Sequence, residues 1–201
     1  SAIESTKRIR IIPIAQRNVD KTLFQDLVTG LVNRRRLLIS HFSRQTGETT
    51  ERQVSPQRLI YYRDNWYLDA FCHLRDDLRS FAVDVIQSAS LLDKPAVTLG
   101  DNDLSNFFEQ SYGIFNGAPK HLAKLKFSPF RAQWVSREVW HPQQVGKYLK
   151  DGSYELEIPY GEDRELIQDI LKNGADVEVM SPAALKKKVL ETFTNAINLY
   201  Q

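Results

Sequence analysis

Hydrophobic and polar positions alternate most cleanly between Trp66 and Arg79. Read with a period of two, Trp66, Leu68, Ala70, Cys72 and Leu74 form an unbroken apolar row. Tyr67, Asp69, Phe71, His73 and Arg75 form a mixed row of hydrogen-bonding and cationic groups. Such a strand closes a core with one face and offers the other to a partner. Upstream the period changes. Asp20 precedes Leu23, Phe24, Leu27, Val28, Leu31 and Val32, spaced as one apolar helical stripe with Asp20 as N-cap. Arg34, Arg35 and Arg36 then end the helix, where cations suit its negative pole.

Strand patterns follow. Leu37 to Ser43 is one, and Gly47 sits in a polar turn. Glu51 to Val54 is a second, interrupted at Pro56; Leu59 to Tyr62 leads through the turn Arg63-Asp64-Asn65 into the Trp66 strand. A further strand runs from Ser80 to about Leu92, and Pro95 closes the unit. One helix followed by about five short strands predicts a small SH3-like or Sm-like β-barrel over residues 18–95. Residues 1–17 read as a basic connector in which Pro13 opposes a helix, and residues 96–118 as a linker with a short helix at 103–110.

Residues 119–201 form a second unit. His121 to Phe127 alternates as a strand, Pro129 to Glu138 as a helix, and Val145 to Leu149 and Tyr154 to Ile158 flank the hairpin signal Lys150-Asp151-Gly152. Glu162 to Lys172 is helical with Gly174 as its stop, Val177 to Met180 is a strand, and Pro182 to Tyr200 a final helix. The order βαββαβ plus a terminal helix predicts a ferredoxin-like α+β domain, so the fold class is α+β throughout.

Composition narrows the function classes. At 201 residues the chain can bury a real core, and its net charge of +2 is too small to argue nucleic-acid binding by itself. Local basic runs (Lys7-Arg8-Ile9-Arg10, Arg34 to Arg36, Lys186 to Lys188) are more often solvated faces than sites. Lys186 to Lys188 start a helix, against its dipole, which keeps a partner-binding reading beside the solvated one. The single cysteine, Cys72, permits no disulfide within the chain and fits a reducing cytoplasm. No apolar run approaches bilayer length and no signal-peptide pattern is present, so no membrane partner is expected. The start at Ser1-Ala2 without methionine looks like a fragment from which an N-terminal domain is missing.

Candidate chemistry gathers near the hairpin after the Trp66 strand. A three-residue loop would set Arg75 opposite Arg79 and His73 opposite Phe81; a two-residue loop at Asp76-Asp77 would pair Cys72 with Phe81 and Ala70 with Val83, which apolar pairing favours. Either register leaves two arginines and a histidine near one tip, where the guanidinium fork suits phosphate. The alternative is that Asp76, Asp77 or Asp84 neutralises Arg75 and Arg79. His41 ends the apolar row Leu37-Ile39-His41, a place more typical of a satisfied rim residue than of a ligand. Arg52 faces either the same cleft or solvent. Cys72 and His73 are adjacent and point to opposite faces, so they form no nucleophile–base pair. The four histidines lack metal-ligand spacing, and there is no glycine-rich phosphate loop. No enzyme chemistry, metal or cofactor is expected. In the second unit Trp134, Trp140, His141 and Pro142 read as a packing cluster.

Arg52-x-Val54-x-Pro56, Trp66-Tyr67-Leu68-Asp69-Ala70 and Arg79-x-Phe81, in that order, resemble the WYL domain. Trp140-His141-Pro142-x-Gln144, Asp151-Gly152, Gly174-x-x-Val177-Glu178-Val179 and Ser181-Pro182-x-x-Leu185 resemble the C-terminal extension, WCX, that often follows it. The resemblance implies a bacterial transcription regulator: an N-terminal winged helix-turn-helix that binds duplex DNA, a Sm-like sensing barrel, and commonly a homodimer. It implies a negatively charged ligand, a nucleotide or single-stranded nucleic acid, at His41, Arg52, Tyr67, His73, Arg75 and Arg79, with Tyr67 or Phe71 stacking a base. His41 stands where the family usually has tyrosine; a histidine there donates to phosphate with a pH dependence that tyrosine lacks. Two other functions stay open beside sensing: a plain single-stranded nucleic-acid-binding module, and a ligand-free dimerisation arm.

Overall fold

In the computed structural model, residues 14–100 and 119–201, with Ile12, Leu104 and Gly113, are described. The basic connector therefore lies mostly outside the described residues, as does the helix expected over 103–110. The chain divides into two units, residues 1–99 and 100–201.

In the first unit, helix α1 spans Lys21–Val32, and Asp20 caps it by accepting from the Leu23 N–H at 2.9 Å. The helix stops at Asn33, and Arg34 takes a left-handed φ of 52°. Arg35 and Arg36 already belong to strand β1 (Arg35–Phe42), where they hold the end of the last strand rather than the helix terminus. Arg35 donates to the Leu92 carbonyl and pairs with Asp93; Arg36 donates to the Pro95 carbonyl.

Strands β2 (Thr49–Tyr62), β3 (Asn65–Cys72), β4 (Asp77–Ala82) and β5 (Ile86–Pro95) complete an antiparallel sheet in the order β4-β3-β2-β1-β5. Three details depart from the sequence expectation. Pro56 does not interrupt β2, because it sits at a β-bulge between Pro56 and Arg58, where a missing N–H is tolerated. The strand expected from Ser80 to Leu92 is two strands, broken by a 3-10 turn at Val83–Val85 that carries the chain from one sheet edge to the other. Third, β4 and β5 are not hydrogen-bonded to each other, so the sheet is open and is not a closed barrel.

It is nevertheless strongly curled. Flat, its edge strands would lie ~19 Å apart, whereas the chain from Ala82 to Ile86 spans at most ~14 Å. The concave face carries the core: Leu37 and Ile39 of β1, Val54 of β2, Leu68, Ala70 and Cys72 of β3, and Phe81 of β4, all buried. α1 packs at the Trp66 end of that face, with Phe24 edge-on to Trp66 at 5.0 Å and Leu27 fully buried. On the convex face, Ser55 and Gln57 bind Val97 and Leu99 and strap the end of the unit across β2.

The second unit has strands β6 (His121–Phe127), β7 (Val145–Tyr148), β8 (Tyr154–Tyr160) and β9 (Val177–Ser181), paired antiparallel in the order β7-β8-β6-β9. Helices α2 (Pro129–Val135) and α3 (Arg164–Lys172) follow β6 and β8, giving two interleaved βαβ crossovers, and α4 (Ala183–Asn198) ends the unit. Ala123, Leu125, Phe127, Leu156 and Ile158 alternate inward against Leu166, Ile170 and Leu185. The opposite face is wet and charge-paired, with Lys124 between Glu155 and Glu157.

The Trp140 motif is a loop staple. The Gln144 side chain accepts from the N–H groups of Trp140 and His141 and donates to the Glu138 carbonyl, while Trp140 packs on Phe127 at 5.5 Å. Trp134 is not part of that packing. It is 48% exposed beside Phe130.

Candidate functional site

Two rows of β3 divide the six expected site residues between opposite faces of the sheet. Arg79 pairs with Ala70, and Ala70 belongs to the concave row, so Arg79 shares that face. Arg52 pairs with Ile39 and is also concave; its Nε donates to Thr50 Oγ1 at 3.1 Å and its Nη1 lies 3.9 Å from the buried Cys72 sulfur. His41 continues the Leu37-Ile39 row, half-buried, with its ring edge-on to Phe81 at 5.2 Å. Phe81 is two residues along β4 from Arg79, on the same face. His41, Arg52 and Arg79 thus line the end of the concave face opposite the α1-covered end.

The other three residues are elsewhere. Tyr67 lies on the convex face near the far end of β3, its ring 6.4 Å from that of Tyr62. His73 is convex too, with Nε2 2.9 Å from Ser55 Oγ and its ring edge-on to Phe71 at 5.2 Å. Arg75 is exposed in the loop.

The hairpin explains the split. Neither expected register is observed: Leu68 faces Phe81 and Cys72 faces Asp77, so residues 73–76 form a four-residue loop. Relative to the two-residue loop, Phe81 has moved by four residues, an even number, so every side chain keeps its face while the tip changes. Arg75 N bonds the Cys72 carbonyl and Asp76 takes φ 51°, while Leu74 is left 60% exposed. Leu74 therefore contributes nothing to the apolar row that the expected registers counted it in.

The concave end carries Arg52 and Arg79, with the carboxylate of Asp77 on the same row of β4. Among the described residues, Arg52, Arg75 and Arg79 form no ion pair with a carboxylate. Asp84, expected as a neutraliser of Arg75 or Arg79, instead bridges Arg17 and Arg44. Burial first, then the charges of Arg52 and Arg44, hold the His41 pKa below its ordinary value of 6.5. Its Nδ1 is buried without a hydrogen-bond partner among the described residues. Arg44 and Thr50 were missed from the sequence. Thr50 was within reach, since it alternates with Arg52 and Val54; Arg44 lies in the turn, where periodicity says nothing.

Burial, and then mainly Arg36, also lowers the His73 pKa. Both histidines thus bind a proton less readily folded than unfolded. Their contribution to stability is present above about pH 6.5 and is lost as pH falls through the folded values below it. Denaturant titrations should show lower stability at pH 5 than at pH 7.5, with the difference reduced in His41→Gln. An equal difference in that variant would remove His41 from the account.

The basic run Lys186 to Lys188 is matched by carboxylates. Lys186 pairs with Glu178, Lys187 with Glu191 and Lys188 with Asp163. No group of metal-ligating side chains occurs among the described residues, and no helix there is long and apolar enough to cross a membrane.

The WYL domain family matches residues 22–91 and the WCX domain family residues 119–197. Protein PafC of Mycobacterium tuberculosis is 28% identical over 170 residues, covering 84% of this chain and 52% of PafC. The HTH-type transcriptional regulator YobV of Bacillus subtilis is 23% identical over 185 residues, covering 90% of this chain and 57% of YobV. The chain thus spans about half the length of these relatives. Among solved structures, a CRISPR Cas-related protein aligns with a TM-score of 0.55 at 11% identity, covering 89% of this chain and 51% of that one, a likeness of fold.

Proposed function

We propose, from the premise that this chain belongs to the WYL-domain family and carries a WCX domain after its WYL domain, that it is a ligand-sensing region of a transcription regulator. The ligand is anionic, a nucleotide or single-stranded nucleic acid, held at the concave end of the first unit by Arg52 and Arg79 with His41. The observation that carries this reading is that both arginines share the concave face with His41 and have no carboxylate partner among the described residues. A planar guanidinium without a carboxylate partner can match two phosphate oxygens at once. His41 adds a donor once protonated, and although burial most disfavours that proton, an anion beside it offsets the Arg52 and Arg44 charges that disfavour it further.

In a longer protein, binding here would act on DNA reading by a helix-turn-helix, provided ligand prefers one arrangement of the regulator over another. The dimerisation-arm reading expected Arg75 and Arg79 to be engaged by Asp76, Asp77 or Asp84, and these contacts are not made. A plain single-stranded-binding module remains the competing function and differs in its salt response. Fluorescence titrations with short single-stranded DNA and with cyclic nucleotides should saturate and should discriminate among ligands. Binding that shows only a steep salt slope, with no preference among sequences, lengths or nucleotides, would replace sensing with simple coating.

A further inference from the structure

The second unit carries a cavity that this function does not use. Helix α4 begins after Pro182, which offers no side-chain cap, and its first helical hydrogen bond runs from the Lys186 N–H to the Pro182 carbonyl. The N–H groups of Ala183, Ala184 and Leu185 therefore have no acceptor within the helix, and they carry the positive end of a 16-residue dipole. Ala184 and Leu185 line a cavity of about 450 Å³ together with Lys120, His121 and Tyr160.

Tyr160 is the second, independent feature. It ends the inward row of β8 and is only 4% exposed, yet its hydroxyl has no hydrogen-bond partner among the described residues. Its ring rests on His121 at 5.3 Å, and its carbonyl accepts from the Lys120 N–H, which fixes both neighbours at the cavity wall. The ring is nearly buried but the hydroxyl is not sealed from solvent, so it stays available to an acceptor entering the cavity. Burial and the nearby Asp163 charge raise the Tyr160 pKa, so the group stays a donor at neutral pH.

The acids lining this cavity are already balanced. Asp163 pairs with Lys188 at 2.5 Å, and Glu162 takes both arms of Arg164 at 3.0 Å each. Lys120 has no carboxylate partner among the described residues. The lining thus carries two carboxylates, each held in an ion pair, beside the α4 donors, the Tyr160 hydroxyl and the cation of Lys120.

We propose that this cavity binds the oxyanion group of a small metabolite, a phosphate or a carboxylate, on the α4 amide groups and the Tyr160 hydroxyl, with Lys120 as counter-charge. The geometry is that of anion capture at a helix N-terminus, completed here by the hydroxyl of a nearly buried tyrosine. It lies wholly within the second unit.

The test is a ¹H–¹⁵N titration of the whole chain with sodium phosphate, with sodium malonate, and with sodium chloride at matched ionic strength. Saturable shifts of the Ala183, Ala184 and Leu185 amides are expected with phosphate, malonate or both, which identifies the oxyanion, and not with chloride. Tyr160→Phe and Lys120→Glu should each weaken the midpoint at least fivefold. Arg52→Glu, which removes the site proposed in the first unit, should leave these shifts intact, so the two sites fail separately. Absence of saturable shifts, equal shifts with chloride, or unchanged midpoints in both second-unit variants would overturn the proposal.

Discussion

Charge reversal at Arg52 or Arg79 is expected to weaken binding of a short single-stranded oligonucleotide by ~100-fold or more, whereas Arg75→Glu changes it by no more than about threefold. The contrast follows from where the three guanidinium groups stand. Arg52 is half-buried, oriented by Thr50 and pressed toward the Cys72 sulfur, so its charge is incompletely screened by water. Each hydrogen bond from such a group to a phosphate contributes ~1.5–3 kcal/mol, and a carboxylate in its place adds repulsion to that loss. Arg79 shares the face through its pairing with Ala70. Arg75 and Arg79 are both exposed, but Arg75 stands in the loop rather than on the concave row, where salt screens its field from a ligand on that face. His73→Gln should behave like Arg75→Glu, because its ring is bound to Ser55 on the convex face.

The measurement is a fluorescence titration of each variant at one fixed salt concentration, with far-UV circular dichroism to show that the fold is kept. Equal losses for Arg75→Glu and Arg79→Glu would return the site to the hairpin tip. Unchanged affinity in both Arg52→Glu and Arg79→Glu would remove the concave site altogether.

How far the sequence carried this site can be read from single residues. In the second unit the inward rows Ala123-Leu125-Phe127 and Leu156-Ile158 are unbroken, so a period of two located both strands nearly to their ends. In the first unit the same period placed Arg79 on the right face but at the wrong level, because Leu74 looked like core and is a loop residue. Pro56 looked like a break because the bulge that accommodates it depends on the partner strand.

Which end of the concave face stays open is not a local property at all. It is decided by α1 packing at Trp66 through Phe24, 42 positions earlier in the chain. The same holds for Asp84, whose partners Arg17 and Arg44 lie 67 and 40 positions away. Periodicity assigns faces; contacts distant in sequence assign ends and charges.

The largest expected loss of stability comes from one glycine. Gly30 is buried in α1, and a Cβ built there would lie 2.7–2.9 Å from three side-chain atoms of Leu37. Leu37 cannot swing away easily: it is fully buried and sits between Val54 and Leu91 in the neighbouring strands. Nor can the helix retreat, since only Asn33 and Arg34 connect α1 to β1. Gly30→Val should therefore destabilise the first unit by about 3 kcal/mol, the upper range for overpacking a core, and lower its Tm by roughly 10 °C or more. Gly30→Ala should cost less, because alanine returns up to ~1 kcal/mol of helix propensity.

The diagnostic is the double variant. Leu37→Ala alone leaves a cavity and costs ~2–5 kcal/mol. Adding Gly30→Val fills part of that cavity, so the combined loss should fall short of the sum by at least ~1 kcal/mol. Additive losses would mean that the helix and β1 do not meet at this pair. The contact matters for the site as well. Leu37 and His41 belong to one row of β1, and a helix pushed off Leu37 shifts the strand on which His41 faces Phe81.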